Sequence, residues 1–283
     1  MTVKHSFGGN WTVEKLDILS KYLNAYSCAL KNQYFNRIYI DAFAGTGKIE
    51  TNGKTEEIPG SAQLSLQCVE QFDEYIFIEK KKKFANELNN MISSTFPTIA
   101  HKVRIFNDDA NEILTEICHK YSWEKNRAVL FLDPYATAVK WDTLKTIAQT
   151  KAIDVWYLFP FSAINRMITK DGNIDPSWKE RLNTVFGDNN WETELYKQSA
   201  QRNLFGEEEM EKTTIENLKS YIIARLKTIF PYVSPNAKPL YNSRNSLLFL
   251  FCFAVSNPNN KAWKLAEKMA NDILRKASSC KTK

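Results

Sequence analysis

Several common motifs are missing from this sequence, and each absence narrows the range of functions. The five cysteines stand singly, without a C-x-x-C pair, which argues against a disulfide framework and against a zinc ribbon. The longest apolar run, Leu247 to Val255, is far shorter than the roughly 20 residues of a membrane span. No Ser-His-Asp or Cys-His arrangement stands out among the 3 histidines. We therefore predict a cytoplasmic protein with reduced thiols, no metal site and no membrane segment.

Glycine is also scarce, with 9 in 283 residues, and the familiar nucleotide motifs are absent. Gly45-Thr46-Gly47 is followed by Lys48-Ile49, so no third glycine completes a G-x-G-x-x-G fingerprint. A phosphate-binding P-loop needs Ser or Thr after its lysine, and none is present. These absences exclude the dinucleotide fingerprint and disfavour a nucleotide hydrolase.

What is present is an apolar run that ends in a carboxylate and a small-residue loop. Ile38-Tyr39-Ile40 is typical of a buried parallel strand, and Asp41 ends it. The loop then passes through Ala44, Gly45 and Gly47, whose small size lets a ligand approach the backbone. An acidic strand end followed by a glycine-containing loop is typical of the ligand crevice of a doubly wound α/β sheet.

Three further predicted strands end near acidic residues. Tyr75–Ile78 is followed by Glu79, Val103–Phe106 by Asp108 and Asp109, and Ala128–Leu132 by Asp133. The carboxyl ends of parallel strands share one edge of the sheet, so we expect Asp41, Glu79, Asp109 and Asp133 to converge. Each acid alone has an alternative interpretation, because Glu79 and Asp109 are also placed to cap the helices that follow.

The remaining patterns predict helices on either side of a C-terminal hairpin. An amphipathic helix is predicted from Val13 to Leu30, and the polar segment Glu50 to Pro59 is predicted to be a loop. Helices with polar loops are predicted from 165 to 236, including one at Trp191–Gln201. We predict three regions: a ligand-binding core at 1–162, a helical insertion for substrate or partner recognition at 163–236, and a C-terminal hairpin and helix at 237–283 that complete the core.

Taken together, these motifs resemble class I S-adenosylmethionine-dependent methyltransferases, and more closely the three-Cys-motif partner family (TcmP). The resemblance rests on short pieces that occur in the family's order between residues 8 and 160. They are Trp11-Thr12 with Lys15-Leu16, Asp41-Ala42-Phe43-Ala44-Gly45 with Gly47, Gly60-Ser61, Asp109-Ala110-Asn111 and Asp133-Pro134-Tyr135. It implies a doubly wound, seven-stranded, mostly parallel sheet that binds S-adenosylmethionine, with a three-Cys-motif protein as a partner.

The resemblance also implies roles for individual residues. Asp41, Ala44, Gly45 and Gly47 would line the methionine end of the cofactor, Glu79 would hold the ribose hydroxyls and Asp109 would contact the adenine. Thr12 and Lys15 are candidates for the cofactor carboxylate, which needs a cation or a helix N-terminus. Asp133-Pro134-Tyr135 resembles the motif that methyltransferases use on exocyclic amino groups of bases. Its single proline departs from the adenine-N6 pattern Asp-Pro-Pro-Tyr, so the motif does not identify the base that is methylated.

Two functions remain after the sequence is considered. The first is a methyltransferase acting on RNA or DNA, for which the net charge of +6, the run Lys80–Lys83 and the basic residues of the insertion would supply phosphate contacts. These lysines and arginines are equally consistent with solvated helix faces. The second is a non-catalytic subunit whose methyltransferase-like fold supports a partner three-Cys-motif protein.

Overall fold

A computed structural model describes residues 10–50, 57–202 and 208–279. Its first half alternates strands and helices: α1 (Asn10–Leu30), β1 (Asn36–Asp41), β2 (Lys48–Glu50), β3 (Glu57–Pro59), α2 (Ser61–Leu66), β4 (Glu74–Ile78), α3 (Lys82–Thr95), β5 (Val103–Phe106), α4 (Ala110–Lys120), β6 (Asn126–Leu132), α5 (Trp141–Gln149) and β7 (Ile153–Phe159). The second half contains α6 (Phe161–Met167), α7 (Pro176–Phe186), α8 (Trp191–Glu194), β8 (Tyr196–Arg202), β9 (Glu208–Lys212), α9 (Ile215–Lys227), β10 (Tyr232–Val233), β11 (Lys238–Tyr241), β12 (Leu247–Val255) and α10 (Asn260–Ser279).

The main sheet has eight strands among the described residues and is mostly parallel. Its order is β10-β12-β7-β6-β1-β4-β5, and β11 pairs with β12 beside β10. β1 pairs in parallel with both β4 and β6, while β12 runs antiparallel to β7, β10 and β11. The chain moves outward from β1 through β4 and β5, then returns to its other side through β6 and β7. This confirms the mostly parallel α/β fold, with β1 at the reversal point where such sheets bind ligands.

Apolar runs become strands here because both faces of the sheet are covered. Every residue of β7 is buried, and the side chains of a strand point alternately to the two faces. Ile38 and Ile40 therefore join the core with α4, α5, α7 and α9, whereas Tyr39 joins the core with α1, α2, α3 and α10. This three-layer arrangement leaves the carboxyl ends of the parallel strands as one open edge.

Two expectations for local structure were wrong. The segment predicted as a helix at Trp191–Gln201 is helical only to Glu194, and Tyr196–Arg202 then pairs with Glu208–Lys212 as a hairpin. Trp191 and Leu195 are spaced like one helical turn, but cross-strand pairing of Lys197 with Glu211 places opposite charges together. The segment predicted as a loop, Glu50 to Pro59, begins with the last residue of β2 and ends with β3, and these two strands pair with each other. Residues 51–56 of that segment lie outside the described residues.

Candidate functional site

The loop after β1 is bound to both neighbouring strands at the open edge. The Ala42 N–H donates to Phe131 O at 3.1 Å, and the Ala44 N–H donates to Ile78 O at 3.0 Å. Gly47 has φ +78°, a conformation that residues with a Cβ rarely adopt, and a Cβ there would also force the ends of the Leu88 and Met91 side chains to shift. The Gly60 N–H closes the loop by donating to Gly47 O at 2.8 Å. The loop is therefore fixed in place between the ends of β4 and β6.

Asp41, the carboxylate at the end of β1, is fully buried beneath this loop. It accepts hydrogen bonds from the Phe43 N–H at 3.3 Å and from the Tyr39 hydroxyl at 3.4 Å, and Ser61 also donates to it. Burial raises the pKa of Asp41 to about 7, and these donors only partly oppose the increase. In this structure Asp41 therefore holds the loop from below, and its predicted contact with a cofactor stays a prediction.

Glu79 links the ends of β1 and β4. One carboxylate oxygen accepts the Gly45 N–H at 3.0 Å, and the other accepts the Lys81 N–H at 2.8 Å. Gly45 has φ +61°, the left-handed conformation that directs its N–H to Glu79. An ionised carboxylate has about four acceptor positions, so Glu79 keeps capacity for two hydroxyl donors. Its predicted role toward a ribose is therefore chemically consistent with these contacts.

Asp109 does cap the helix after β5, as its alternative interpretation predicts. One of its oxygens accepts the Asn111 N–H at 2.9 Å, and the other contacts Lys80 Nζ at 3.1 Å. Partial burial alone would raise the pKa of Asp109, but the bonds from Asn111 and Lys80 outweigh it and hold this pKa below its usual value. Asp109 thus has a structural role, and any contact with adenine would be additional.

Asp133, after β6, forms an ion pair with Lys15 from the first turns of α1. The Lys15 side chain is 6% exposed and that of Asp133 is 26% exposed, so the ion pair is largely buried at the carboxyl end of the sheet. The ammonium also lies 4.9 Å from the centre of the Trp11 ring, and Trp11 in turn packs against Phe249 at 5.0 Å. The sequence did not reveal this pairing, because residues 118 positions apart share no local signal.

Thr12, one helical turn before Lys15, is almost completely buried and its hydroxyl has no hydrogen-bond partner among the described residues. A buried hydroxyl without a partner is uncommon in native structures and needs an explanation. Thr12 and Lys15 share one face of α1 because residues three apart on a helix are neighbours. This face is therefore equipped with a donor and a cation for an anionic group.

The loop after Asp133 carries an exposed tyrosine. Pro134 is buried, whereas the Tyr135 side chain is 83% exposed, and Ala136 has φ +51°, an uncommon conformation for a residue with a Cβ. Backbone conformations of this kind persist only where neighbouring contacts impose them, and they are concentrated at functional sites. Tyr135 is consequently presented to solvent beside Asp133.

Asn111 connects this loop to the end of β5, a role that the sequence motif did not reveal. Its Nδ2 donates to Asp109 Oδ1 at 3.0 Å and to Ala138 O at 2.9 Å. Its Oδ1 accepts the Lys140 N–H and the Thr143 hydroxyl, both at 2.9 Å. All four hydrogen-bonding positions of the amide are therefore used. The order Asp109-Ala110-Asn111 was the available signal, but only the fold shows what Asn111 contacts.

The structure thus brings together the ends of β1, β4, β5 and β6. The charges of Lys15 and Asp133 both act on the carboxyl group of Asp41. Glu79 contacts the loop after β1, and Asn107 Nδ2 donates to Glu79 O at 2.8 Å. Within the described residues, no group of three or more metal-binding side chains is present, and no helix is both long and apolar enough to cross a membrane.

No protein-family model and no curated protein matches this sequence. Among solved structures, the fold is similar to a Legionella pneumophila protein of the DUF519 family, with 13% identity over 94% of this chain and 92% of that one and a TM-score of 0.47. It is similar to a protein from Listeria monocytogenes described as an S-adenosylmethionine-dependent methyltransferase, with 10% identity, coverages of 83% and 98% and a TM-score of 0.37. The methyltransferase domain of bacterial CtHen1 is 9% identical, with coverages of 84% and 98% and a TM-score of 0.38. Membership in the three-Cys-motif partner family stays a prediction.

Proposed function

We propose that this chain is an S-adenosylmethionine-dependent methyltransferase that acts on an amino group of a nucleic-acid base. The observation that carries the proposal is the set of four carboxylates that follow neighbouring strands at one end of the sheet, two of which, Asp41 and Glu79, accept N–H groups of the loop after β1. A structural protein needs no such concentration of acids, with one of them fully buried, at a single sheet edge.

The residues present are chemically suited to S-adenosylmethionine. Glu79 has acceptor capacity for two ribose hydroxyls, and no atom lies within 4 Å of the position that a Cβ would take at Gly45, so the backbone there is open to close approach. Ala44 and Gly47 are buried, and we assign them to holding the loop in shape. Thr12 and Lys15 would bind the carboxylate of the methionine part, which would give the buried Thr12 hydroxyl its missing partner. When bound, S-adenosylmethionine supplies an electrophilic methyl group on a sulfonium sulfur.

Asp133, Pro134 and Tyr135 would position the acceptor. The Asp133 carboxylate would accept a hydrogen bond from the target amine and turn the nitrogen lone pair toward the methyl group, which is a positioning effect. Lys15 holds that carboxylate in place through their ion pair. The exposed Tyr135 ring would stack on the base, and a base within a duplex would first have to be flipped out.

Binding and methyl transfer test the two halves of the proposal separately. We expect calorimetry to detect S-adenosylmethionine binding by the wild-type protein and a loss of about tenfold or more in Glu79→Gln, because hydrogen bonds to a charged acceptor contribute about 1.5–3 kcal/mol. Glu124→Gln is the matched control, since Glu124 is exposed just before β6 at the opposite sheet edge. Absence of binding by folded wild-type protein would exclude the enzyme and favour the non-catalytic subunit.

The second half uses methyl-labelled cofactor with total cellular RNA and, in parallel, DNA. We expect label in one of the two nucleic acids with the wild-type protein and none with Asp133→Ala, which removes the acceptor, while the Asp133 variant still binds cofactor. Equal labelling by both proteins would remove Asp133 from the reaction. Cofactor binding without labelling of either nucleic acid would contradict the proposed substrate class.

A further inference from the structure

The positive charge of this protein is concentrated at its C-terminal end. Residues 237–283 contain nine Lys or Arg and two Asp or Glu, whereas the rest of the chain is nearly neutral. Acidic and basic residues are almost balanced across 163–236, where the sequence suggested phosphate contacts, and Lys179 of that region pairs with Glu192 at 2.9 Å. The net charge of +6 is therefore a local property of the C-terminal segment.

Much of this charge lies on one stripe of α10. Ala266, Ala270 and Leu274 are buried at intervals of four residues and form the face that packs against the core. The exposed face carries basic side chains at helical spacing, with one acid among them, Asp272. Those basic residues are Lys261, Lys264, Lys268 and Arg275.

These cations are not neutralised by neighbours. None of the four makes an ion pair within the described part of the chain, and the only contact found for their charges is that of Lys264 with the Trp263 ring at 5.7 Å. Lys80, at the end of β4, instead pairs with Asp109, and Lys238 pairs with Glu14 at 3.0 Å. The α10 stripe can therefore contact an external anion without breaking an internal ion pair.

The direction of α10 leads this stripe toward the candidate site. α10 begins at the amino edge of the sheet, where Val255 pairs with both Asp154 and Tyr232, and Trp263 stacks on Tyr232 at 5.2 Å. Its 20 residues correspond to about 30 Å, and it packs along α1. Because α10 packs against α1, whose first turns contact Asp133, a course away from the amino edge takes α10 toward the edge that holds the site.

We propose that the exposed stripe of α10 is a docking surface for the sugar-phosphate backbone of a nucleic acid whose base enters the site beside Asp133 and Tyr135. This inference rests on the proposed function for its second half, the entry of the base. Lysine and arginine contacts with phosphates supply affinity that does not depend on sequence, while the site itself selects the base. A stripe that leads to the catalytic edge matches this division of roles.

Binding of fluorescently labelled single-stranded RNA and DNA oligonucleotides of the same mixed sequence tests the surface directly. We expect the variant with Lys261, Lys264 and Lys268 all changed to Gln to bind roughly tenfold more weakly than wild type, and its slope of log affinity against log salt to fall by about 2. The same three positions changed to Arg keep the charge and should retain wild-type binding. The two probes show whether the backbone is RNA or DNA.

A control with the same loss of charge separates a docking surface from a general charge effect. Lys120, Lys125 and Lys145 are exposed on or near α4 and α5, in the opposite helical layer, and their triple change to Gln should leave binding within about twofold of wild type. Three results would each overturn the proposal. The two triple Gln variants could bind equally weakly, the α10 variant could bind as tightly as wild type, or the wild-type protein could bind neither probe. Calorimetry with S-adenosylmethionine on the same samples reports separately on the proposed methyltransferase, since the α10 changes do not touch Glu79 or Lys15.

Discussion

Two carboxyl groups are buried among the described residues, and their positions explain their different roles. Asp41 lies beneath the glycine loop, whereas Asp154 lies near the start of β7, at the opposite edge of the sheet. Asp154 accepts a hydrogen bond from the Tyr22 hydroxyl at 2.7 Å, and Arg127 is the charged group that acts on it. Burial raises the pKa of each carboxyl to about 7 despite these partners. Asp41 is therefore a candidate site residue because it lies at the carboxyl end of the strands, and Asp154, at their amino end, is a structural one.

We predict that the stability of the protein falls as the pH rises from about 4 to about 7. The pKa of Asp154 is raised from 3.8 to about 7 in the folded chain, so folding favours its protonated form. Its contribution is complete below the unfolded pKa and is lost as the pH rises through the folded pKa. Asp154→Asn, which can still accept the Tyr22 hydrogen bond, should flatten this dependence by up to about 4 kcal/mol across the window.

Urea unfolding of both proteins at several pH values checks this prediction. Asp142→Asn is the control, because Asp142 is exposed on α5. A wild-type free energy of unfolding that rises through the window, or an Asp154→Asn variant with the wild-type slope, would contradict it.

The pair formed by Lys15 and Asp133 gives a second prediction at this scale. Lys15→Met should lower the free energy of unfolding by about 2 kcal/mol, because it leaves the Asp133 carboxylate without its cation in a largely enclosed position. The double variant Lys15→Met with Asp133→Asn removes both charges and should recover most of that loss. Methyl transfer should nevertheless stay absent in the double variant, because the cation proposed for the cofactor carboxylate is still missing.

Chemical unfolding and the labelled-cofactor assay measure the two effects on the same preparations. Losses of stability that simply add in the double variant would show that the two side chains do not interact in solution. The sequence predicted both residues as site members, but it could not predict their pairing. α1 and the loop after β6 meet only once the sheet is formed.

Among the secondary-structure elements, those with long and consistent patterns were predictable. The runs that became β1, β4, β5, β6 and β7 are mostly apolar, and four of these strands are followed by an acidic residue. The hairpin formed by β8 and β9 was not predictable, because its strands are mostly polar and are anchored from outside. The Tyr196 hydroxyl donates to Thr169 O at 2.8 Å, and Lys212 Nζ donates to the Ile168 carbonyl near the end of α6 at 2.7 Å. Tertiary contacts thus decide structure where local preference is weak.

The link between α4 and the Tyr135 loop gives a prediction at the scale of elements. Asn111→Ala should increase amide hydrogen exchange in the segment 134–143, because the Lys140 N–H and the Ala138 carbonyl lose their partner. Methyl transfer should fall by roughly tenfold or more, since the loop that carries Tyr135 is no longer held. Cofactor affinity should change by less than about threefold, because Asp109 keeps its bond from the Asn111 backbone N–H.

Exchange measured by mass spectrometry, calorimetry and kinetic assays distinguish this positioning role from a general loss of structure. Asn126→Ala provides the control, because Asn126 Nδ2 donates to Ser122 O at 2.8 Å at the opposite edge of the sheet. Faster exchange throughout the chain in the Asn111 variant, or unchanged exchange in 134–143, would argue against a local role for Asn111.

For the molecule as a whole, the insertion and the sheet share one hydrophobic core. Leu182, Val185 and Trp191 of the 163–236 region belong to the same buried cluster as Ile38 and Leu130 of the central strands. The sequence predicted a helical insertion from its change of pattern, but composition gave no information on how it is attached. Attachment depends on which apolar side chains face the sheet, and this is decided by the three-dimensional course of the chain.

We therefore predict that the chain, including the insertion, unfolds in one cooperative transition. Phe186 is 1% exposed at the end of α7 and contacts Phe159 of β7 at 6.3 Å and Tyr221 of α9 at 5.2 Å between ring centres. Phe186→Ala should lower the free energy of unfolding by about 3–5 kcal/mol, because it opens a cavity where three elements meet.

Trp178→Ala, which alters a 39% exposed side chain of the same helix, is the control and should lower the free energy of unfolding by less than about 1 kcal/mol. Urea transitions followed by far-ultraviolet circular dichroism and by tryptophan fluorescence should coincide in both variants. A separate early transition in Phe186→Ala, with the remaining protein as stable as wild type, would mean that the insertion folds independently of the sheet.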